Sequence, residues 1–239
     1  MDPLFKVEVL EKTPRPQRVI YQALHTDYSE DFVGESQKIP GEKACGQIAV
    51  KRLLQGGRGH WGPLEHAHIA FAAGYFPHSV MQQARTHRIA SFDVQSCRYS
   101  GQRFIDCAWG KRTVEEVFYL RPVDTYKDRQ GNSYEYTQEW RDEDALLFKS
   151  SAHQYAKDID RGMAPEHARG KIAFDFRQHF VFSGNLRAIA HFISVRSKPD
   201  AQLEIRQLCE LMVPHLREWC PEVWAWIEEH QLKTGRLAP

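Results

Sequence analysis

The chain has 239 residues, with 32 Lys and Arg against 31 Asp and Glu, so its formal net charge is +1. This near-neutral balance argues against a protein that coats a polyanion, and we expect no nucleic-acid partner. A hydrophobic content of 42% excludes a wholly disordered chain. A chain of this length can bury a core without disulfides. No Pro/Gly/Ser-rich linker divides it, so we expect a single domain over residues 1–239.

Cysteine usage and hydropathy predict a cytoplasmic protein with no membrane partner. The five cysteines are an odd number and form no C-x-x-C pair, which disfavours a disulfide framework. The first twelve residues, MDPLFKVEVLEK, lack an apolar signal core. The longest uncharged run, 67–84, contains histidines and glutamines and is too polar to span a bilayer.

The hydrophobic pattern of the N-terminal half predicts strands and helices in mixed order. The expected elements are a strand over 4–10, helices over 16–25 and 43–55, a loop over 56–63, a buried strand over 67–76, a helix over 78–87 that Pro77 opens, an irregular polar stretch over 91–103, and a strand over 115–121.

The C-terminal half is predicted to be richer in helix. The expected elements are a long helix over 138–160, a helix from Pro165 to about Ile172, a strand over 174–182, and helices over 186–197, 201–218 and 222–232. The pattern as a whole predicts an α+β class: a single domain with a central, mostly antiparallel sheet, flanking helices and a helix-rich C-terminal half.

The densest cluster of chemically active side chains lies in residues 82–103. It contains Arg85, Arg88, Arg98 and Arg103 among several serines. Guanidinium groups match phosphate oxygens bidentately, and serine hydroxyls can complete such a cradle. A charge cluster alone is more often a solvated basic loop. This one directly follows an apolar strand and helix, however, and loops on a rigid scaffold are where ligand sites concentrate.

A second set of basic residues lies far away in the sequence. Arg187 and His191 share one face of the helix predicted over 186–197, whose remaining residues are mostly apolar. This pattern favours a helix with one face to the core and one to a ligand, although a surface ion-pair face is the alternative. Asn185 is in position to cap the same helix.

Two further groups of residues are weaker candidates. His60, Glu65 and His66 do not form a known zinc motif, and nothing places a third ligand beside them, so we expect no metal. Cys97 would need a nearby base and a lowered pKa to act as a nucleophile. We interpret it as a small loop residue.

The stretch RTHRIASFDVQSCRYS, residues 85–100, resembles the signature R-H-R-x7-S of the flavin-dependent thymidylate synthases. His87 and Arg88, seven further residues and Ser96 fit this signature. Three other blocks follow the family's order: GHWGPLEHAHIAF at 59–71, PEHAR at 165–169, and NLRAIAHFISVRSKPDAQLEI at 185–205. The resemblance therefore covers roughly residues 55–205 in separated blocks.

The resemblance implies a reaction, cofactors and an assembly. In this family NADPH reduces FAD, and a one-carbon unit passes from methylenetetrahydrofolate to C5 of dUMP, where it is reduced to a methyl group to give dTMP. The expected partners are thus dUMP, folate and NADPH. A homotetramer with active sites shared between subunits is also implied. Because FAD and dUMP are anionic, this function accounts for two arginine clusters in a nearly neutral chain.

The resemblance also implies roles for individual residues. Arg196 matches the arginine that polarises the uracil ring, which makes it the catalytic residue. The residues expected to bind the substrate are Gln82, Arg85, Gln95, Ser96, Cys97, Arg98, Arg169 and Arg196. The residues expected to bind the cofactor are His60, Arg85, His87, Arg88, Asn185, Arg187 and His191.

The chain departs from the family pattern at four positions. Thr86 is inserted between Arg85 and His87, Val94 stands where the family has Glu, Cys97 where it has Gly, and His191 where it commonly has Asn. These departures leave open a related reaction on dCMP or dUMP, including hydroxymethyl transfer. A different class remains as a third hypothesis: a single-stranded nucleic-acid binder that uses arginines with aromatic rings such as those of Tyr99 and Phe104.

Overall fold

The strands of the computed structural model form one four-stranded sheet and one hairpin. The described residues are 1–35, 38–128 and 130–239. Their strands are β1 (Lys6–Lys12), β2 (His68–Pro77), β3 (Ser91–Val94), β4 (Asp124–Lys127), β5 (Ser133–Tyr136) and β6 (Arg177–Asn185). The antiparallel sheet has the order β1-β2-β6-β3, and β4 pairs with β5.

Helices occupy much of the remaining chain. They are α1 (Pro16–Thr26), α2 (Glu42–Ala49), α3 (His78–Ala84), α4 (Gln102–Ala108), α5 (Val114–Val117), α6 (Gln138–Asp160), α7 (Pro165–Ala168), α8 (Leu186–Arg196), α9 (Leu203–Trp219) and α10 (Pro221–Ile227). The predicted α+β class and the helix-rich C-terminal half are therefore confirmed. Within the described ranges, no helix has both the length and the apolar character needed to cross a membrane.

Several helices begin where the sequence predicts because a side chain satisfies their first amide groups. The long helix α6 covers the predicted range, and the Thr137 hydroxyl accepts a hydrogen bond from the Trp140 amide at 3.3 Å. Asn185 caps α8 by accepting a hydrogen bond from the Ala188 amide at 2.8 Å. Such caps satisfy donors that have no partner inside the helix.

The strand predicted over 115–121 is wrong, because local capping overrides its alternating pattern. Thr113 accepts a hydrogen bond from the Glu116 amide at 3.3 Å, and Glu116 accepts one from the Thr113 amide at 2.6 Å. This reciprocal capping box starts the short helix α5 instead. Phe118, directly after it, forms an isolated antiparallel bridge with Phe176.

Two other expectations need correction, and one element was not predicted. The helix predicted over 78–87 ends at Ala84, so Arg85, His87 and Arg88 follow α3 instead of lying on it. The stretch 91–103 is not wholly irregular, because it begins with β3 and its last residues start α4. The hairpin of β4 and β5, in which Tyr126 faces Tyr134, is absent from the predicted elements.

The contacts within the chain define two compact units, each built from separate segments. The first unit contains residues 1–6, 73–84 and 93–180, and the second unit contains residues 7–72, 85–92 and 181–239. Neither unit is a continuous stretch of sequence, which is why no linker marks a boundary. The expectation of one domain over the whole chain stays a prediction.

Phe104 lies at the centre of the core of the first unit. Its ring centroid lies 5.9 Å from that of Phe118, 5.5 Å from that of Tyr155 and 5.7 Å from that of Phe176. The chain packs so closely here that a Cβ atom on Gly101 would overlap the Tyr155 hydroxyl. This packing fixes α4 against α6, and with it the loop that precedes α4.

The core of the second unit is organised around Phe182 of β6. Its ring lies 5.7 Å from that of Phe71, 5.4 Å from that of Phe92 and 5.3 Å from that of Phe192. Phe71 belongs to β2, Phe92 to β3 and Phe192 to α8, so one aromatic cluster holds these three elements together. It thereby positions α8, which carries most of the second basic set.

Candidate functional site

The predicted substrate residues and the predicted cofactor residues lie largely in different units. All predicted cofactor residues lie in the second unit. The predicted substrate residues lie in the first unit, except Arg85 and Arg196, which lie in the second.

In the second unit, Arg196 at the end of α8 contacts the segment that follows α3. Its Nε atom donates a hydrogen bond to Nε2 of His87 at 2.8 Å, and its Nη2 atom donates to Oγ1 of Thr86 at 2.9 Å. The His87 ring lies 5.0 Å from that of Phe192 and 6.1 Å from that of His191. The structure thus brings the signature segment and α8 together.

His87 is held in its neutral form. Partial burial, followed by the positive charge of Arg196 and then by His191, lowers the pKa of His87 from 6.5 to about 4. Because Nε2 accepts from Arg196, Nδ1 carries the ring proton. His87 is therefore an acceptor towards Arg196 at neutral pH and not a second cation.

Arg187 and His191 share a polar face of α8, as predicted, and both contact residues 238–239. Nε of Arg187 donates to the Pro239 carbonyl at 2.9 Å, and Nη1 donates to Glu65 at 2.5 Å. Nδ1 of His191 donates to the Ala238 carbonyl at 2.7 Å.

These residues border a cavity of about 390 Å³ in the second unit. It is lined by Glu65, Ile89, Asn185, Arg187, Ala188, His191 and Pro239. A guanidinium, an imidazole and an amide beside apolar surface are the groups that hold an anionic aromatic ligand. We refer to it below as the α8 cavity.

Of the predicted cofactor residues, four do not line the α8 cavity: His60, Arg85, His87 and Arg88. Arg85 and Arg88 are exposed. His60 lies with Nε2 3.6 Å from Oδ2 of Asp27 in a pair whose side chains are both about half exposed. Asn185 lines the cavity, but its Oδ1 atom is engaged as the cap of α8.

In the first unit, a chain of side-chain hydrogen bonds links two predicted substrate residues. Nε2 of Gln82 donates to Nε2 of His78 at 2.8 Å. His78 in turn donates through Nδ1 to the side-chain oxygen of Gln178. Nε2 of Gln178 donates to the backbone carbonyl of Gln95 at 2.7 Å. Gln82 and Gln95 are thus held in one network, and His78 and Gln178 are members that the sequence analysis missed.

The segment that follows Gln95 forms a tight turn. The Ser96 hydroxyl accepts from the Arg98 amide at 3.3 Å, and the Ser96 carbonyl accepts from the Ser100 amide at 3.0 Å. The Arg98 guanidinium lies 3.6 Å from Glu166 and 5.7 Å from the Tyr99 ring centroid. The Arg98 side chain is 49% exposed, so it is available to an anionic ligand.

Cys97 is buried in this turn and is not set up as a nucleophile. Burial raises the pKa of its thiol, although Arg103 and Arg169 partly oppose the shift. The thiol is therefore protonated near neutral pH. The finding agrees with the interpretation of Cys97 as a small loop residue.

Among the residues that the structure describes, no three His, Cys, Asp or Glu side chains meet to hold a metal ion. Glu65, which the sequence analysis considered only as a metal ligand, pairs with Arg187 instead. Thr86 and residues 238–239 were also missed. Their only sequence signal is the odd spacing at Thr86, because contacts between distant segments leave no local pattern.

Basic, amide and imidazole groups converge in both units of this α+β protein. Comparison with known proteins makes the class specific. A family model described as thymidylate synthase complementing protein matches residues 8–222. A flavin-dependent thymidylate synthase of Halobacterium salinarum is 31% identical over 250 residues, covering 98% of this chain and 100% of the relative. One of Haloarcula marismortui is 32% identical over 249 residues, covering 98% and 99%.

The chain belongs to the thymidylate synthase complementing protein family, that of the flavin-dependent thymidylate synthases. Its fold is also that of a solved structure, the UMP/dUMP methylase PolB from Streptomyces cacaoi bound with 5-Br UMP. The TM-score is 0.74 at 18% identity, and the match covers 98% of this chain and 96% of the other. At this identity the similarity establishes the fold alone.

Proposed function

We propose that this chain is a flavin-dependent thymidylate synthase. It converts dUMP to dTMP, with methylenetetrahydrofolate as the carbon donor and NADPH as the reductant. The observation that carries the proposal is the match over nearly the full length to relatives named for this activity. The contact of Arg196 with the signature segment supports it, because it joins two blocks of the resemblance in one unit.

The α8 cavity suits an anionic flavin cofactor. Arg187 supplies a fixed positive charge, and His191 and Asn185 supply polar groups beside the apolar surface of Ile89 and Ala188. Arg187 already donates hydrogen bonds to Glu65 and to Pro239. These two bonds orient its guanidinium before a ligand binds. Bound FAD would supply the electrons that reduce the transferred carbon unit.

The first unit supplies the groups proposed to bind dUMP. Arg98 is exposed and paired only loosely with Glu166, so a phosphate could replace that carboxylate as its partner. Ser96 and Cys97 lie in the same turn as Arg98, and Arg169 is proposed to join them. The network from Gln82 to Gln95 holds this segment in place before the nucleotide binds.

Arg196 is the proposed catalytic residue. Its guanidinium is held by His87 and Thr86, and His87 is neutral, so no second full charge competes with it. A fixed cation stabilises negative charge that develops on a uracil ring without having to reorganise. Cys97 takes no covalent role, since its thiol stays protonated.

Two further parts of the proposal concern assembly and location. We infer a homotetramer with shared active sites from the family resemblance. We infer a cytoplasmic location from the five cysteines, all of which are free and buried.

Product analysis tests the proposed function. The purified protein should be yellow and should release FAD on denaturation. It is then incubated with NADPH and methylenetetrahydrofolate and, separately, with dUMP, UMP or dCMP, and the products are separated by mass. We expect dTMP from dUMP. A methylated or hydroxymethylated cytidine product in place of dTMP would contradict the proposed substrate, and the absence of flavin would contradict the proposed cofactor.

A further inference from the structure

A second cavity, in the first unit, contains buried polar atoms that the described chain leaves without partners. It has a volume of about 330 Å³, and Gln95, Arg103, Tyr75 and His179 are among its lining residues. Oε1 of Gln95 and Nε of Arg103 are buried and lack a hydrogen-bond partner within the described ranges. Buried polar groups are almost always paired, so two exceptions in one cavity point to a missing partner.

Arg103 is fixed in place by its surroundings. Its Nη1 atom donates to the Arg177 carbonyl at 2.5 Å. Its guanidinium also lies 4.8 Å from the ring centroid of Phe104 and 5.5 Å from that of Phe176. The direction of the unpaired Nε–H bond is therefore set by packing before any ligand binds.

Arg177, which also lines the cavity, donates a hydrogen bond from each of its three side-chain nitrogens. Its Nε atom donates to the Glu115 carbonyl at 2.6 Å, Nη1 to the Tyr75 carbonyl at 2.9 Å, and Nη2 to Asp2 at 2.7 Å. It is a buried structural residue that holds the cavity wall. Arg112 also lines the cavity, with its Nε atom 3.8 Å from Oδ2 of Asp106. Arg103 is the lining guanidinium whose Nε atom is buried without a partner in the described residues.

The backbone beside the cavity is strained. Tyr75 has a φ of 67° and is the one non-glycine residue with positive φ in the described part of the chain. The Tyr75 amide donates to Nδ1 of His179 at 3.3 Å, and the two rings are perpendicular with centroids 4.6 Å apart. A Cβ atom on Gly74 would lie 3.2 Å from the same nitrogen. Strain of this kind concentrates at ligand sites.

The unpaired atoms define the chemistry of the missing partner. Oε1 of Gln95 needs a donor, and Nε of Arg103 needs an acceptor. A fully ionised phosphate or carboxylate offers acceptors only, and an ammonium group offers donors only. The lactam edge of a heterocycle offers an N–H and a C=O together. The perpendicular rings of Tyr75 and His179 add aromatic surface that suits a planar ligand.

We propose that this cavity binds the lactam edge of a heterocyclic ligand through Gln95 and Arg103. The proposal rests on the proposed function, whose ligands carry three such rings: the uracil of dUMP, the flavin of FAD and the pteridine of folate. Of the substrate and cofactor residues expected from the sequence, Gln95 alone lines the cavity. Arg103 is a new ligand-binding residue.

The test uses the variants Gln95→Leu and Arg103→Lys, with Gln207→Leu as a matched control. Gln207 in the second unit also has a buried Oε1 atom without a partner in the described residues, but it does not line this cavity. Binding of dUMP and folate to the FAD-loaded protein, of FAD to the flavin-free protein, and of inorganic phosphate is measured by calorimetry.

We expect Gln95→Leu to lower the affinity for one of the three ring ligands by about 10-fold or more, since a partner of a buried polar group is lost. The ligand whose affinity falls is the one whose ring occupies the cavity. Phosphate binding should not change. The melting temperature of the variant should stay equal or rise, because an unpaired buried acceptor has been removed. Gln207→Leu should likewise keep or raise the melting temperature, but it should leave the affinities for all ligands unchanged.

Unchanged affinity for all three ring ligands would overturn the proposal, and so would a comparable loss of phosphate affinity, which would indicate an oxyanion site. Gln95→Leu decides the matter if Arg103→Lys does not fold. The two proposals fail separately. A wild-type protein that forms dTMP while both variants bind every ligand normally overturns only the cavity, whereas a wild-type protein that forms no dTMP counts against the proposed function.

Discussion

Nε of Arg196 donates a hydrogen bond to Nε2 of His87 at 2.8 Å across 109 residues of sequence. This contact ties the end of α8 to the segment after α3, and it requires Nε2 of His87 to be unprotonated. The same bond therefore couples the position of the proposed catalytic arginine to the protonation state of one histidine.

The first prediction concerns pH. His87 has a pKa of about 4 in the folded protein against 6.5 for an ordinary histidine, so the unfolded chain takes up its proton first as the pH falls. The contribution of neutral His87 to the free energy of unfolding is thus fully present above about pH 6.5. It is lost as the pH falls towards 4. His87→Gln, whose amide oxygen can still accept from Arg196, should lose less stability over this range.

Urea unfolding of both proteins at intervals between pH 7 and pH 4 measures the effect. The relevant quantity is the difference between the two profiles, because His179 also has a pKa lowered by burial and contributes in the same direction. Parallel profiles for the wild type and the variant would show that His87 does not couple protonation to folding.

The second prediction concerns Arg196→Lys. The variant should bind dUMP but form dTMP about 10²–10³-fold more slowly, the typical cost of losing one preorganised donor. An ammonium group lacks the planar fork that contacts His87 and Thr86 together. Flavin reduction by NADPH should largely survive.

Single-turnover formation of dTMP from the reduced, dUMP-loaded variant measures this step. Thr86→Ala is the control, because it removes one contact of Arg196 and leaves the charge in place, so its rate should stay near that of the wild type. A wild-type rate for Arg196→Lys would mean that Arg196 only binds the nucleotide.

The third prediction concerns Arg98→Ala, which should abolish dUMP binding and leave the fold intact. Removing one partner of an arginine–phosphate pair costs about 2–5 kcal/mol of binding. The exposed pair with Glu166 contributes little to the stability of the fold, because solvent screens it. Calorimetric titration with dUMP measures the loss of binding, and thermal unfolding shows whether the fold is intact.

Glu166→Gln is the matched control for Arg98. It removes the competing carboxylate and keeps the guanidinium, so dUMP affinity should be equal to or higher than that of the wild type. Unchanged dUMP affinity in Arg98→Ala would refute the assignment of this arginine.

The fourth prediction concerns Arg187→Ala, which should purify with little or no FAD while remaining folded. Its side chain lies on the polar face of α8 and lines the α8 cavity, so losing it removes charge and not core packing. Glu65→Gln breaks the ion pair at 2.5 Å but keeps the cation, and it should retain FAD. Absorbance of the purified proteins gives the occupancy. Full occupancy in Arg187→Ala would mean that this helix face is only a solvated surface.

Local signals in the sequence predicted much of the fold. The range of α6 and the cap of α8 by Asn185 depend on neighbouring residues, and both are confirmed. The strand at 115–121 is wrong because the capping box of Thr113 and Glu116 outweighs a short alternating run. The family signature indicated which residues to examine, but not which of them meet.

The contacts missed by the sequence analysis join distant segments. Gln178 reaches the carbonyl of Gln95, and residues 238–239 reach Arg187 and His191. Neither contact leaves a periodic or local pattern in the sequence, since each depends on how the units fold. The unpaired atoms of Gln95 and Arg103 are equally invisible without coordinates.

The most direct test of the central claim is a single turnover under anaerobic conditions. The protein is reduced with NADPH, freed of excess reductant and mixed with dUMP and methylenetetrahydrofolate, while flavin absorbance and dTMP are followed together. The account predicts that one dTMP forms for each flavin that is reoxidised. Flavin that stays reduced with no dTMP formed, in a protein shown to bind dUMP, would contradict it.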